Sequence, residues 1–203
     1  MSRILLATRN KGKVKEIQDL VKDFPVKFLS LDEVKPLPEV EEDGDTFEAN
    51  ALKKARVMAE GAGMAVLADD SGLCVDALDG RPGVLSARYA GENASDVEMC
   101  NRILEELRDV PDGRRTARFV CVLAFVLPAG EERIFRGECE GYITRGITGK
   151  LGFGYDPIFY YEGARCTFAQ MDREAKNCVS HRGRALQEFA RYLRFRFGQT
   201  INV

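Results

Sequence analysis

The sequence has a single histidine, His181, among 203 residues. A metal site built from several imidazoles is thereby excluded, and any histidine relay would hang on one position. Net charge is nearly absent as well, with 30 Lys and Arg against 32 Asp and Glu, or −2 overall. Without a basic excess nothing holds a duplex by counterion release, so no nucleic-acid polymer is expected as partner. Small anionic ligands stay open, because they respond to local clusters. Long apolar runs are missing too: residues 119–127 and 61–68 carry the longest, and both are too short to cross a bilayer, so no membrane partner is expected. The apolar part of residues 1–8 is too short for a signal peptide. The six cysteines (74, 100, 121, 139, 166, 178) form no CxxC pair, which disfavours zinc fingers and a disulfide framework. Cys100 and Cys121 lie in helical or apolar stretches and read as small buried hydrophobes, and the expected setting is a reducing cytoplasm. No GxGxxG follows a strand-like run and no GxxxxGK[ST] occurs, so dinucleotide and P-loop chemistry lack their signatures.

What is present is an ordinary globular mix, 45% hydrophobic and 31% charged, enough for one domain over 1–203 with a full core. Residues 3–8 read as a buried strand, 9–12 as a turn, and 13–21 as a helix with apolar positions 14, 17, 20 and 21. A second strand is expected over 26–29. The stretch 31–44, with Pro36, Pro38 and an acidic run, reads as a loop. Asp45-Thr-Phe-Glu48 looks like a capping box opening a helix to about Ala59, and Ser95-Asp-Val-Glu98 like a second, opening a helix to Leu107. Strands are expected at 65–68, 115–127, 132–144 and 157–160, with a hairpin turn at Pro128-Ala-Gly130. Ser180 starts a final helix with apolar positions 186, 189, 190, 193 and 197. Strands alternating with helices, then a long hairpin, indicate an α/β fold with a mixed sheet.

Five clusters can carry chemistry. Thr8, Arg9, Asn10, Lys11, Gly12 and Lys13 sit between the first strand and first helix, where free backbone N–H groups and basic side chains suit phosphate; many such turns bind nothing. Asp69-Asp70-Ser71-Gly72 ends a strand. Adjacent carboxylates there call for a cation, and Mg²⁺ is the natural one, although a solvated turn has the same composition. Successive residues of an extended chain point opposite ways, so the two aspartates should differ in role. The acidic run 39–43 can supply a second metal carboxylate, and its spacing does not say which. Gly152-Phe-Gly-Tyr-Asp156-Pro157 presents an aromatic ring between glycines, able to stack on a nucleobase or to anchor a turn. Lys176, His181 and Arg182 gather donors at a helix start, where cations oppose the dipole and a functional reason gains weight.

Together these segments resemble the inosine/xanthosine triphosphate pyrophosphatase family. ATRNKGKVKEI (7–17), DGDTFEANALKKA (43–55), ADDSGLCVDALDGRPGVLSARYAG (68–91), GFGYDPIF (152–159) and SHRGRAL (180–186) run in family order over nearly the whole chain. The resemblance implies an elongated mixed β-sheet flanked by helices, two lobes around a central nucleotide cleft, and a homodimer. It implies Mg²⁺-dependent hydrolysis of ITP, dITP and XTP to the monophosphate and pyrophosphate. The alternatives are a pyrophosphatase for other modified or ordinary nucleotides and a non-catalytic nucleotide sensor.

Carried over by residue, the resemblance gives Thr8 to Lys13 the triphosphate. Glu41 and Asp70 take the metal, with Asp70 also the proton acceptor. Ser71 contacts substrate. Phe153, Gly154, Tyr155, Asp156, Lys176, His181 and Arg182 line the base pocket. Lys53 and Asp69 support the phosphate and metal region. The 6-oxygen of hypoxanthine or xanthine would then face the donors of Lys176, His181 and Arg182. One departure stands out: Lys150-Leu151 precede Gly152 where the family usually has a Gly-Gly pair.

Overall fold

The computed structural model describes residues 3–22, 24 and 26–197; Met1 and Ser2, in the stretch judged too short for a signal peptide, lie outside it. Among the described residues seven strands form one sheet in the order β2-β1-β3-β4-β5-β6-β7: β1 (Arg3–Ala7), β2 (Lys27–Leu29), β3 (Ala65–Val75), β4 (Thr116–Val126), β5 (Glu132–Ile143), β6 (Phe159–Tyr161) and β7 (Cys166–Thr167). β1 pairs in parallel with β2 and β3, whereas β6 is antiparallel to β5 and β7, so the expected mixed sheet is present. Among the described residues five α-helices accompany it: α1 (Lys11–Val21), α2 (Phe47–Ala62), α3 (Asp96–Glu106), α4 (Arg173–Val179) and α5 (His181–Phe197).

Several boundaries follow from side-chain chemistry that local pattern misjudged. Asn10 caps α1, its side-chain oxygen accepting from Lys13 N at 3.1 Å, so the helix starts inside the expected turn. Thr46 caps α2 by accepting from Ala49 N, which displaces the expected cap from Asp45. The Ser95–Glu98 capping box is present as expected. β3 does not stop before the aspartates: Asp69 and Asp70 lie inside it, 1% and 4% exposed. α4 and β7 were not anticipated. Both are very short, seven and two residues, below the length at which a period declares itself.

The chain clusters into two compact units. Of the described residues, the first comprises 3–22, 24, 26–70, 121–137 and 182–197. Its core joins Ile4, Leu6, Ile17, Leu67, Leu123, Phe125 and Phe189. The apolar stripes of α1 and α5 pack there, as their 3.6-residue spacing predicts. The second comprises 71–120 and 138–181, around Leu73, Ile103, Leu107, Phe119, Phe159 and Phe168. In that unit buried Arg115 ties ends together, donating to the carbonyls of Leu107, Ile143 and Thr144. Cys74, Cys100, Cys121 and Cys139 are buried, and none of the six cysteines is in a disulfide.

Candidate active site

In the first unit, the end of β1, the start of α1, the acidic segment before α2, and β3 bring charged groups together. Lys13 Nζ lies 2.6 Å from Asp69 Oδ1. Asp69 Oδ2 accepts from Arg182 Nε at 2.8 Å and from the Cys121 thiol at 3.3 Å. The same guanidinium donates through another nitrogen to Glu16. Burial alone would raise the Asp69 carboxyl, but Arg182 and then Lys13 outweigh it and hold the group well below the usual carboxylate range. Both Asp69 oxygens are therefore engaged by cations.

Asp70 is in the opposite condition. Its Oδ2 is buried and has no hydrogen-bond partner. Burial, opposed by Lys13, pushes its carboxyl up to about 6; Glu42 adds to the rise and Lys54 opposes it. The two adjacent aspartates thus differ in environment: both Asp69 oxygens meet cations, and Asp70 keeps a buried oxygen without a hydrogen-bond partner. Among the named groups, four carboxylates (Glu16, Glu42, Asp69, Asp70) meet three cations (Lys13, Lys54, Arg182), and the excess charge falls on Asp70.

Beside two of the expected residues, the next residue along the chain is the one that interacts with the aspartates. Glu41 is exposed, and the carboxylate whose field reaches Asp70 belongs to Glu42, which is ion-paired with Lys54. Lys53 pairs with Asp43 at 2.6 Å on the surface, while the buried Lys54 donates to the Asp69 carbonyl at 2.9 Å. The buried stripe of α2 explains this. Phe47, Ala51, Lys54, Ala55 and Met58 share it, so a lysine at a core position was the available signal. The acidic segment is pinned by Asn50, whose side chain accepts from Gly44 N at 2.7 Å and donates to Gly44 O.

The expected phosphate cradle divides between two faces. Asn10 spends its side chain on the cap, and Thr8 Oγ1 accepts from Asn10 N at 3.3 Å. Thr8, Arg9 and Lys11 line a cavity of about 870 Å³ with Lys15, Val14 and the 30–37 segment. Lys13 turns instead to Asp69. Gly12 is half-buried in the first turn of α1.

In the second unit, Lys176 Nζ is 2.5 Å from Asp156 Oδ2 and sits 4.9 Å from the centre of the Phe153 ring. Asp156 Oδ2 also accepts from Phe153 N at 2.9 Å. Gly152 has φ +75°, and a Cβ there would meet Asp156 Oδ2 at 2.0 Å, so the turn demands glycine. Gly154 N donates to Asp96 Oδ2 at 2.7 Å. Tyr155 is buried and donates to the Ser86 carbonyl at 2.8 Å, its hydroxyl pKa raised by that burial. The His181 ring stacks on Phe119 at 4.7 Å, and Ser71 is half-buried on β3. Lys150 and Leu151 turn outward while their amides donate to the Ala169 carbonyl, so the departure before Gly152 is absorbed at the surface.

Of the expected donor cluster, Lys176 is on α4 and His181 on α5 in this unit. Arg182 belongs to the first unit, where Glu16 and Asp69 occupy its guanidinium. Those carboxylates also account for a cation in the first turn of α5, which the helix dipole alone would disfavour.

The Ham1 family sequence model matches residues 4–192. A dITP/XTP pyrophosphatase from Geobacter sulfurreducens is 54% identical over 92% of this chain and 94% of its own length. One from Desulforamulus reducens is 50% identical over 92% of each. Among solved structures, a HAM1 protein from Coxiella burnetii superposes with a TM-score of 0.87 at 44% identity, covering 95% of this chain and 98% of that one. The Staphylococcus aureus Ham1 protein gives 0.86 at 39% identity, covering 96% and 100%.

Proposed function

The chain belongs to the Ham1 family, and from that premise we propose that it is a hydrolase of non-standard purine nucleoside triphosphates. dITP, ITP and XTP are cleaved to the nucleoside monophosphate and pyrophosphate, in line with the activity its relatives are named for. The observation that carries the reading is Asp70. A buried carboxylate with an unpartnered oxygen and a pKa of about 6 is ionised at neutral pH and suited to accept a proton from an attacking water. Lys13, with Thr8, Arg9, Asn10, Lys11 and Gly12 beside it, handles the polyphosphate. Phe153 offers the ring face for the base, with Gly154, Tyr155 and Asp156 shaping the turn that carries it. Lys176 and His181 supply polar contacts, and Ser71 is the substrate contact next to Asp70. The match over 4–192 supports treating 1–203 as one catalytic domain.

A divalent cation fits this chemistry. Asp70 Oδ2 is a buried oxygen without a donor, whereas Asp69 has none to spare. Mg²⁺ takes oxygen ligands, keeps several waters and rides on substrate phosphates. Mg²⁺ is the ion inferred, held by Asp70 and one carboxylate of the acidic segment, Glu42 or Glu41. When bound it supplies charge neutralisation of the phosphates. Glu42→Gln should raise the Mg²⁺ concentration for half-maximal rate by about 10-fold or more, the scale of a lost charge-assisted contact. Glu41→Gln should leave it within about twofold. The reverse pattern returns the ligand to Glu41.

The test of function is a substrate panel with product analysis. ITP, dITP and XTP should give monophosphate and pyrophosphate well ahead of ATP and GTP. IDP with orthophosphate would move the attack to the γ-phosphorus and overturn the mechanism. Binding without turnover would make the chain a sensor. A homodimer and a cytoplasmic setting complete the reading. Light scattering on the purified chain measures the first. Among the described residues no helix is long and apolar enough to cross a membrane.

A further inference from the structure

Glu16 stands on the buried face of α1 at 5% exposure, three residues after Lys13 and one before the core residue Ile17. A carboxylate in that place costs several kcal/mol of desolvation unless it is well paired. Its partner is Arg182, itself 1% exposed, which places Nε on Asp69 Oδ2 at 2.8 Å and another nitrogen on Glu16. Asp69 in turn holds Lys13 through Oδ1 at 2.6 Å. The charges alternate along this line: Glu16, Arg182, Asp69, Lys13. The first three are essentially sealed, and the Lys13 side chain, at 15%, is the most exposed of the four.

Arg182 meets its two carboxylates through different nitrogens, Asp69 Oδ2 through Nε and Glu16 through Nη1, so Glu16 anchors the guanidinium that meets Asp69, while Asp69 Oδ1 meets Lys13. Stability alone does not explain so many buried charges, since apolar replacements of buried ion pairs are often neutral or stabilising. We propose that Glu16 is a positioning residue: by holding Arg182 it orients Asp69 and, through Asp69, the Lys13 ammonium where the substrate polyphosphate meets it. This rests on the reading above that Lys13 contacts phosphate.

A double-mutant cycle with Glu16→Gln and Lys13→Ala tests it, scored as kcat and KM for the best substrate of the panel at saturating Mg²⁺. Thermal midpoints are recorded for every variant. Glu16→Gln should raise KM by about 10- to 100-fold, the range for a lost charge-assisted bond, with a smaller change in kcat. The combined variant should be no worse than Lys13→Ala alone, because both act through one contact. Additive losses overturn the proposal, as does a lowered midpoint with unchanged KM. If Glu16→Gln does not fold, Glu16→Asp keeps the charge on a shorter arm and should show the same KM-weighted loss and the same non-additivity. A wild-type protein that cleaves no triphosphate sinks the functional reading instead. An active wild type with an additive cycle sinks only the role of Glu16.

Discussion

At the scale of single residues, the two adjacent aspartates illustrate how environment divides identical side chains. Asp69 meets Arg182 and Lys13 and stays ionised far into acid. Asp70, one residue on, meets burial first and a neighbouring Glu42, and its carboxyl rises to about 6. Asp70→Asn should keep nucleotide binding and lower turnover by about 10²–10⁴-fold, the usual cost of a lost general base. Single-turnover measurements with ITP and Mg²⁺ read this directly. Turnover within a few-fold of the unaltered protein would remove Asp70 from the chemistry.

At the scale of elements, the acidic segment depends on α2 for its shape. Asn50 is 1% exposed and clasps Gly44 through both its amide groups. A Cβ on Gly44 would lie 2.8 Å from the Asn50 oxygen, so even alanine must break the clasp. Gly44→Ala should therefore cost about 1–3 kcal/mol of stability, the penalty of leaving a buried polar group unpaired. It should also raise the Mg²⁺ requirement, because Glu42 sits two residues away on the same clasped segment. Urea unfolding and a Mg²⁺ titration of activity measure the two effects, and a change in neither would show that the clasp does not set the position of Glu42. The face of α2 was legible in principle. Lys54 lies on the buried stripe with Asn50 among apolar residues, whereas Lys53 lies on the wet side.

At the scale of the whole molecule, the raised carboxyl of Asp70 has a sign for stability. Its folded pKa, about 6, lies above its ordinary value of 3.8. The folded state then binds the proton more tightly than the unfolded chain. The stabilisation is full below pH 3.8 and disappears as pH rises through about 6. Without divalent cation, Asp70→Asn should accordingly be more stable than the unaltered protein at pH 7–8, by at most about 3 kcal/mol. The gap should close as pH falls toward 4. Mg²⁺ should raise the midpoint of the unaltered protein and leave the variant unmoved. Calorimetry in chelator and in Mg²⁺ follows both, and a variant less stable than the parent in chelator at pH 8 would contradict the strained state of this carboxylate.

The α/β class, the main strands and helices, and the segments that carry the site all follow from sequence. Apolar period, caps and glycine turns are local properties written within a few residues of one another. Even the contrast between Asp69 and Asp70 was foreshadowed by strand alternation. Which carboxylate of the acidic run and which lysine of α2 approach Asp70 depended on packing across 15 to 30 positions of chain, where a one-residue shift changes the face. The place of Arg182 was more remote still. Its partner Glu16 lies 166 residues away, and only the folding of α5 against α1 and β3 brings its guanidinium to Glu16 and Asp69. Local chemistry names the functional groups, whereas the tertiary fold assigns their partners, because an ion's behaviour is set by burial and by charges a few ångströms away.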